Sequence, residues 1–334
     1  MSISITCEDF SGQYSHVNCQ GKSIFITLND LALAMVTVGR SGWTDALSGG
    51  IQRAYEITAL MSSIFAYIDN SKSTLTMSDL YKNLESSEKG IASYRIGMAL
   101  SKLVAERTLG IQWLRHVQPL IKRNIIQRYY FTDAQPDLIG QDAAGNWHVI
   151  EAKGRTSKQM DLAALQKALY QTAQIEFING ESPVTRCASV ATLGKTPFEV
   201  RFQDTPQEGD GEFNLLLSKY LEEYYSPIQL FTRFDRGIYH DYVIPGLLHS
   251  PTFTLRRLPG MSTYLGIHSE LFKFIQSKNP WGELPRELNK INDEYNIRHT
   301  LIREQVPMNN DSFPTNIPSN VSISLDGYIT LQGD

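Results

Sequence analysis

A chain of 334 residues, 42% hydrophobic and 10% aromatic, carries enough apolar side chain for two domains or for one domain with large additions. Its formal net charge of −4 gives no chain-wide attraction to a polyanion, so phosphate backbones could be held only by a local basic surface. The three cysteines, Cys7, Cys19 and Cys187, form no CxxC pair and argue against a disulfide framework and a zinc knuckle.

No basic-then-apolar leader opens the chain, and the longest early apolar run, Leu31 to Val38, is too short for a bilayer. A cytoplasmic protein with no membrane partner is the expectation. Residues from Ser2 to about Asn70 mix an alternating segment, Ser23 to Leu28, with a helix through Arg53 to Met61. Gly21-Lys22-Ser23 has the end of a phosphate-binding loop, but His16 stands where its first glycine must be, which excludes an NTPase. Ser78-Asp79 precedes a short helix. Ile96, Leu100, Leu103 and Val104 then mark one face of a longer helix that should pack on a sheet.

Ile125 to Phe131 reads as a strand, and Leu138-Ile139 continues extended structure to an Asp142–Asn146 turn. Trp147 to Lys153 is the returning strand. Ser157 is the expected N-cap of a helix reaching Ile175, and Arg186 to Leu193 is a further strand. The polar run Asp204 to Gly211 marks a composition break, so the expected organisation is an N-terminal α+β region (1–88), a core (89–204) and a C-terminal accessory region (205–334). In that last region a helix is expected from Asn214 to Tyr225, a loop from Asn309 to Asn320 and a hairpin on Asp326-Gly327. The cluster Tyr220, Tyr224, Tyr225, Phe231 and Phe234 reads as core in preference to a base-stacking surface.

The chemistry concentrates in Gln135-Pro136-Asp137-Leu138-Ile139-Gly140 and Trp147-His148-Val149-Ile150-Glu151-Ala152-Lys153. Glu151 and Lys153 share one face of a strand, and Asp137 on the preceding strand comes alongside Glu151. Two adjacent carboxylates repel unless a cation lies between them, and Mg²⁺ or Mn²⁺ suits an oxygen-ligand site of this kind. Asp137 and Glu151, with the Ala152 backbone carbonyl, would fix the ion, which polarises a phosphoryl oxygen and acidifies a bound water. Lys153 would orient that water or neutralise charge on the phosphorane. The plain alternative is a structural salt bridge on an ordinary hairpin. His148 points to the opposite face from Glu151, and His240, Asp241 and His268 have no metal-ligand spacing.

Pro136-Asp137, thirteen intervening residues and Glu151-Ala152-Lys153 resemble the motif of the PD-(D/E)XK nuclease superfamily over about Glu88 to Val200. The resemblance implies an α/β, restriction-endonuclease-like αβββαβ core, a mixed central sheet flanked by helices, with N- and C-terminal α+β additions. Gln166 and Tyr170 are similar to the QxxxY motif of the RecB-like branch, which would add both to the catalytic set. It further implies Mg²⁺-dependent phosphodiester hydrolysis, DNA as the nucleic-acid partner, a homodimer or partner-regulated complex, and a role in restriction or anti-phage defence. Arg155, Lys158 and Lys167 are candidate contacts to the phosphate backbone. Glu106 is the candidate for the extra acid that the family takes from its first core helix, with a solvated helix-end charge as the favoured reading. A catalytically silent module with the same fold is the competing class.

Overall fold

The structure is a computed structural model that describes residues 1–38, 51–129, 134–205, 209–228, 238–244, 250–295, 297 and 320–332. The chain is mixed α/β. Its centre is a seven-stranded mixed sheet in the order β2-β1-β9-β8-β6-β5-β3, with β1 at Ser2–Glu8, β2 at Cys19–Phe25, β3 at Ile111–His116, β5 at Leu138–Asp142, β6 at Trp147–Arg155, β8 at Thr185–Thr192 and β9 at Glu199–Gln203. Strands β3, β5 and β6 form an antiparallel meander, and β8 runs parallel to β6. The two N-terminal strands extend this same sheet, β1 lying parallel to β9.

Helices cover both faces. Helix α1 (Leu28–Thr37) opens on a capping box in which Thr27 Oγ1 accepts from Asp30 N (3.0 Å) and Asp30 Oδ2 accepts from Thr27 N (2.8 Å). Helix α2 (Ile51–Tyr67), the short α3 (Asp79–Lys82) and the long α4 (Ser86–Leu109) follow, and α4 ends at Gly110, whose φ of +69° suits a glycine. Ile96, Leu100 and Val104 of α4 are buried, as their spacing predicts. At its crossing with β6 the backbones almost touch: a Cβ on Gly154 would lie 1.9 Å from Ser93 O, and one on Gly97 would lie 2.7 Å from Gly154 N. Both positions therefore require glycine.

On the opposite face α6 (Leu162–Ala173) packs Leu165 and Ala168 on Ala188 and Val190 of β8. Helix α6 starts later than expected. Asp161, not Ser157, is its cap, accepting from Ala164 N (2.9 Å), while Ser157 Oγ donates to Gln159 O.

Strand β4 (Ile126–Tyr129) is where sequence and structure part. It was expected to lead into the core meander, but it lies in a separate three-stranded sheet, β4-β10-β7, with β7 at Ile175–Ile178 and β10 at Gly211–Leu215. The meander takes β3 in its stead, followed by the short helix α5 (Val117–Lys122). Strand β3 shows no alternation, because Gln112, Arg115 and His116 are buried with Trp113 and Leu114. Gln112 Nε2 donates to Asn289 Oδ1, Arg115 Nη2 donates to Glu223 Oε1, and His116 Nε2 lies 3.4 Å from Tyr94 OH. Asn214 likewise belongs to β10, and α7 covers only Leu217–Tyr224. Residues 130–131 of the expected strand, Phe231 and Phe234, and 309–319 of the expected loop lie outside the described residues.

Tyr220, Tyr224 and Tyr225 are core, and Tyr220 OH donates to Trp113 O (3.1 Å) and Ile139 O (2.9 Å). The C-terminal strands β11 (Ile238–Val243), β12 (Thr252–Arg257), β13 (Thr263–His268), β14 (Val321–Ile323) and β15 (Tyr328–Gln332) make an antiparallel sheet, order β11-β12-β13-β15-β14, with helices α8 (Ser269–Ile275) and α9 (Leu284–Glu294) beside it. The expected hairpin is β14–β15, turning at Gly327 with φ +83°. Among the described residues, no helix is long and apolar enough to cross a membrane.

Candidate metal centre

Strand alternation places Glu151 and Lys153 on the α6 face of β6. They pair with Ala188 and Val190 of β8, which contact α6, whereas Gly154 meets α4 on the other side. Pairing of β5 with β6 runs from Gln141↔Trp147 to Leu138↔Ile150. Asp137 stands one residue before β5, where the ladder gives way to side-chain bonds.

Those bonds interlock the two strands. Asp137 N donates to Glu151 Oε2 (2.7 Å), and Ala152 N donates to Asp137 Oδ2 (3.3 Å). A residue's N–H and C=O leave a strand on the same edge, so the Ala152 carbonyl also turns toward Asp137. Lys153 Nζ donates to Glu151 Oε1 and lies 4.0 Å from Asp137 Oδ2. The carbonyl of Asp137 is itself held by Val117 N (2.9 Å), at the start of α5. Asp137, Glu151, Ala152 and Lys153 thus meet as their spacing predicts.

Glu151 is fully buried, and burial pushes its carboxyl well up from the usual carboxylate range. The charge of Asp137 pushes the same way, and Lys153 pulls back. A divalent cation would relieve that repulsion, and two carboxylates with a carbonyl are hard oxygen donors. Among the described residues, no group of three or more His, Cys, Asp or Glu side chains is placed to hold a metal. Two carboxylates and one carbonyl would leave the remaining positions of an ion such as Mg²⁺ to waters or substrate oxygens.

The other candidates lie further out. Arg155 Nε is paired with Asp161 Oδ2 (3.0 Å). Gln166, Lys167, Tyr170 and Lys158 are exposed, and their side chains form no hydrogen bond or ion pair with Asp137, Glu151 or Lys153. Gln171 is the α6 side chain that reaches the motif, donating through Nε2 to Gln135 O (3.2 Å). Glu106 is buried at the far end of α4, where Leu325 N donates to it, about 14 Å along the helix axis from the Gly97 crossing. It is neither solvated nor at the site.

Two residues missed by the sequence reading stand beside Asp137. Tyr94 of α4 directs its hydroxyl to His116 Nε2 (3.4 Å). Burial, with the charges of Asp137 and Glu151, raises the phenol and keeps it protonated, while burial lowers His116 to about 4 and keeps it neutral. Tyr94 lies three residues before Gly97, one turn along the face that meets β6. The pair Gly97 and Gly154 was the available signal. His148 is a buried structural residue, its Nδ1 2.9 Å from Thr185 Oγ1. Comparison of the chain with protein-family models, curated proteins and solved structures gives no match.

Proposed function

We propose that the chain is a Mg²⁺- or Mn²⁺-dependent nuclease that hydrolyses phosphodiester bonds in DNA, with a restriction-endonuclease-like core of the PD-(D/E)XK kind. The observation that carries the reading is the reciprocal lock of Asp137 and Glu151 across two strands, with Ala152 turned to the same edge and Lys153 on the same face. The order α4, β3, β5, β6, α6, β8, with β6 between an antiparallel and a parallel neighbour, supports the fold assignment.

In this reading Asp137, Glu151 and the Ala152 carbonyl would hold the ion. A bound Mg²⁺ or Mn²⁺ supplies charge neutralisation at a phosphoryl oxygen and an acidified water. Lys153, freed from Glu151, would orient an attacking water and offset charge on the pentacovalent phosphorus. Tyr94 donates a hydrogen bond at the margin of the site. Glu151 must lose its proton for the ion to bind, so metal affinity rises with pH. Restriction or anti-phage defence is the proposed setting.

Incubating the full chain with linear, circular and single-stranded DNA and with RNA, in Mg²⁺, Mn²⁺ or EDTA, tests the reading. Cleavage of DNA that requires the ion and is lost in Asp137→Ala is expected. Absence of cleavage on every substrate would turn the reading toward a silent module of the same fold.

A further inference from the structure

Cys7 and Cys19 belong to no short thiol motif, yet the fold sets them face to face. Strands β1 and β2 pair antiparallel with Cys7 directly opposite Cys19, and directly paired residues share a face. Opposed residues of such a ladder have Cα atoms about 4.5–5.5 Å apart, within the about 4.4–6.8 Å that a disulfide spans. The chain between them is already drawn shut. Phe10 N donates to Asn18 Oδ1 (3.0 Å) and Asn18 Nδ2 donates to Phe10 O (2.9 Å), so a bond between the two sulfurs asks for no new approach of the strands.

The two thiols are unequal. Cys7 is 1% exposed, whereas Cys19 is half-buried on β2, the outermost strand of the sheet, where a small oxidant can reach it. Burial, with the Cys19 sulfur beside it, pushes the Cys7 thiol up and keeps it protonated. Cys187 is set apart. It is buried on β8, with β9 between it and β1, and its thiol lies 3.9 Å from Asp204 Oδ1.

We propose that Cys7 and Cys19 are a site of reversible oxidation, a dithiol that hydrogen peroxide converts to a disulfide and a thiol reductant restores. The Cys19 sulfur attacks a peroxide oxygen, the O–O bond breaks, and a sulfenic acid forms as water leaves. The Cys7 sulfur then attacks that of Cys19. An S–S bond forms, the S–O bond breaks, and the hydroxyl leaves as water with the Cys7 proton. Two thiols thus give up two electrons, and the peroxide is reduced to two waters. The bond fastens a loop whose 3-10 helix, Gly12–Val17, carries Tyr14. Tyr14 OH donates to Asp142 Oδ2 (2.9 Å), and Asp142 Oδ1 accepts from Ala144 N and Asn146 N (2.9 Å each) in the β5–β6 turn. The disulfide therefore braces the end of the β5–β6 hairpin, and the site does not depend on the nuclease reading.

Treating the full chain with a small excess of hydrogen peroxide, alkylating it with N-ethylmaleimide in denaturant and digesting it with trypsin tests the proposal. Residues 1–22 form one tryptic peptide holding Cys7 and Cys19, and Cys187 falls in another. The first peptide should lose about 2 Da relative to its reduced form and take no label, while Cys187 is labelled in full. Dithiothreitol should restore both labels. The oxidised chain should melt about 2–6 °C above the reduced one, and Cys19→Ser should keep its Cys7 label after peroxide and show no such rise. Oxygen gained at Cys19 without the loss of 2 Da, a link between two chains, loss of the Cys7 label in Cys19→Ser, or an oxidised chain that melts below the reduced one overturns the proposal.

Discussion

Helix α4 carries a buried lysine–acid cluster at its C-terminal end, while β6 carries another beside the helix's middle, and the two differ in what their oxygens have left to give. At the far end, Lys102 Nζ lies 3.2 Å from Asp326 Oδ2, with the two side chains 1% and 0% exposed. Asp326 also accepts from Tyr224 OH, Ser324 Oγ and Tyr328 N, and Glu106 beside it accepts from Leu325 N. At the β6 end, Lys153 and Asp137 remain 18% and 24% exposed. Asp137 Oδ1 accepts no hydrogen bond among the described residues. Burial pushes Glu106 and Glu151 upward alike, so a raised carboxyl does not separate a closed structural knot from a site. Access and unspent lone pairs do.

The largest effect should come from emptying the open cluster. Asp137→Ala and Lys153→Ala should lower cleavage on the order of a hundred- to thousandfold, measured at saturating metal, with melting transitions close to wild type. Asp326→Ala should do the reverse. Leaving Lys102 buried without its partner should cost about 3–5 kcal/mol in denaturant unfolding, while the protein that remains folded still cuts. A variant that reversed this division would erase the contrast between the two ends of α4.

The α4–β6 crossing connects those ends. Gly154→Ala places a methyl against Ser93 O and should cost about 1–3 kcal/mol while moving Lys153, so unfolding and cleavage should both suffer. Much of this core was legible in the sequence. The periodicity of Ile96, Leu100 and Val104 marks a buried helix, and the alternation around Glu151 sets the face of the site. Strand β3 was not legible, because the partners of its buried Gln112 Nε2 and Arg115, Asn289 and Glu223, lie more than a hundred residues away in sequence. The same reason hid Glu106, whose partner Leu325 is distant along the chain. Asn214 read as helix because the strand that holds it is stabilised by β4 and β7, not by its own composition.

Glu151 is raised in the fold from 4.5 to about 8, so its contribution to stability is fully present below pH 4.5 and is lost as pH rises through about 8. Metal-free Glu151→Gln should therefore gain melting temperature relative to wild type at pH 8, and the gain should shrink toward pH 5. Mg²⁺ should stabilise wild type at pH 8 and leave this variant unmoved. The smallest effect is expected at the exposed face of α6, where Gln166→Ala and Tyr170→Ala should reduce cleavage by about tenfold or less and shift stability within about 0.5 kcal/mol.

Asp137 and Glu151 are proposed to form a divalent-cation site, and the acids at the other end of α4 are not. Calorimetric titration of the full chain with Mn²⁺ at pH 7.5, repeated in buffers of different ionisation enthalpy, addresses it directly. One ion should bind with release of a proton, Asp137→Ala should abolish the binding heat, and Glu106→Gln should retain it. Absence of Mn²⁺ binding in wild type, or unchanged binding in Asp137→Ala, would contradict the account.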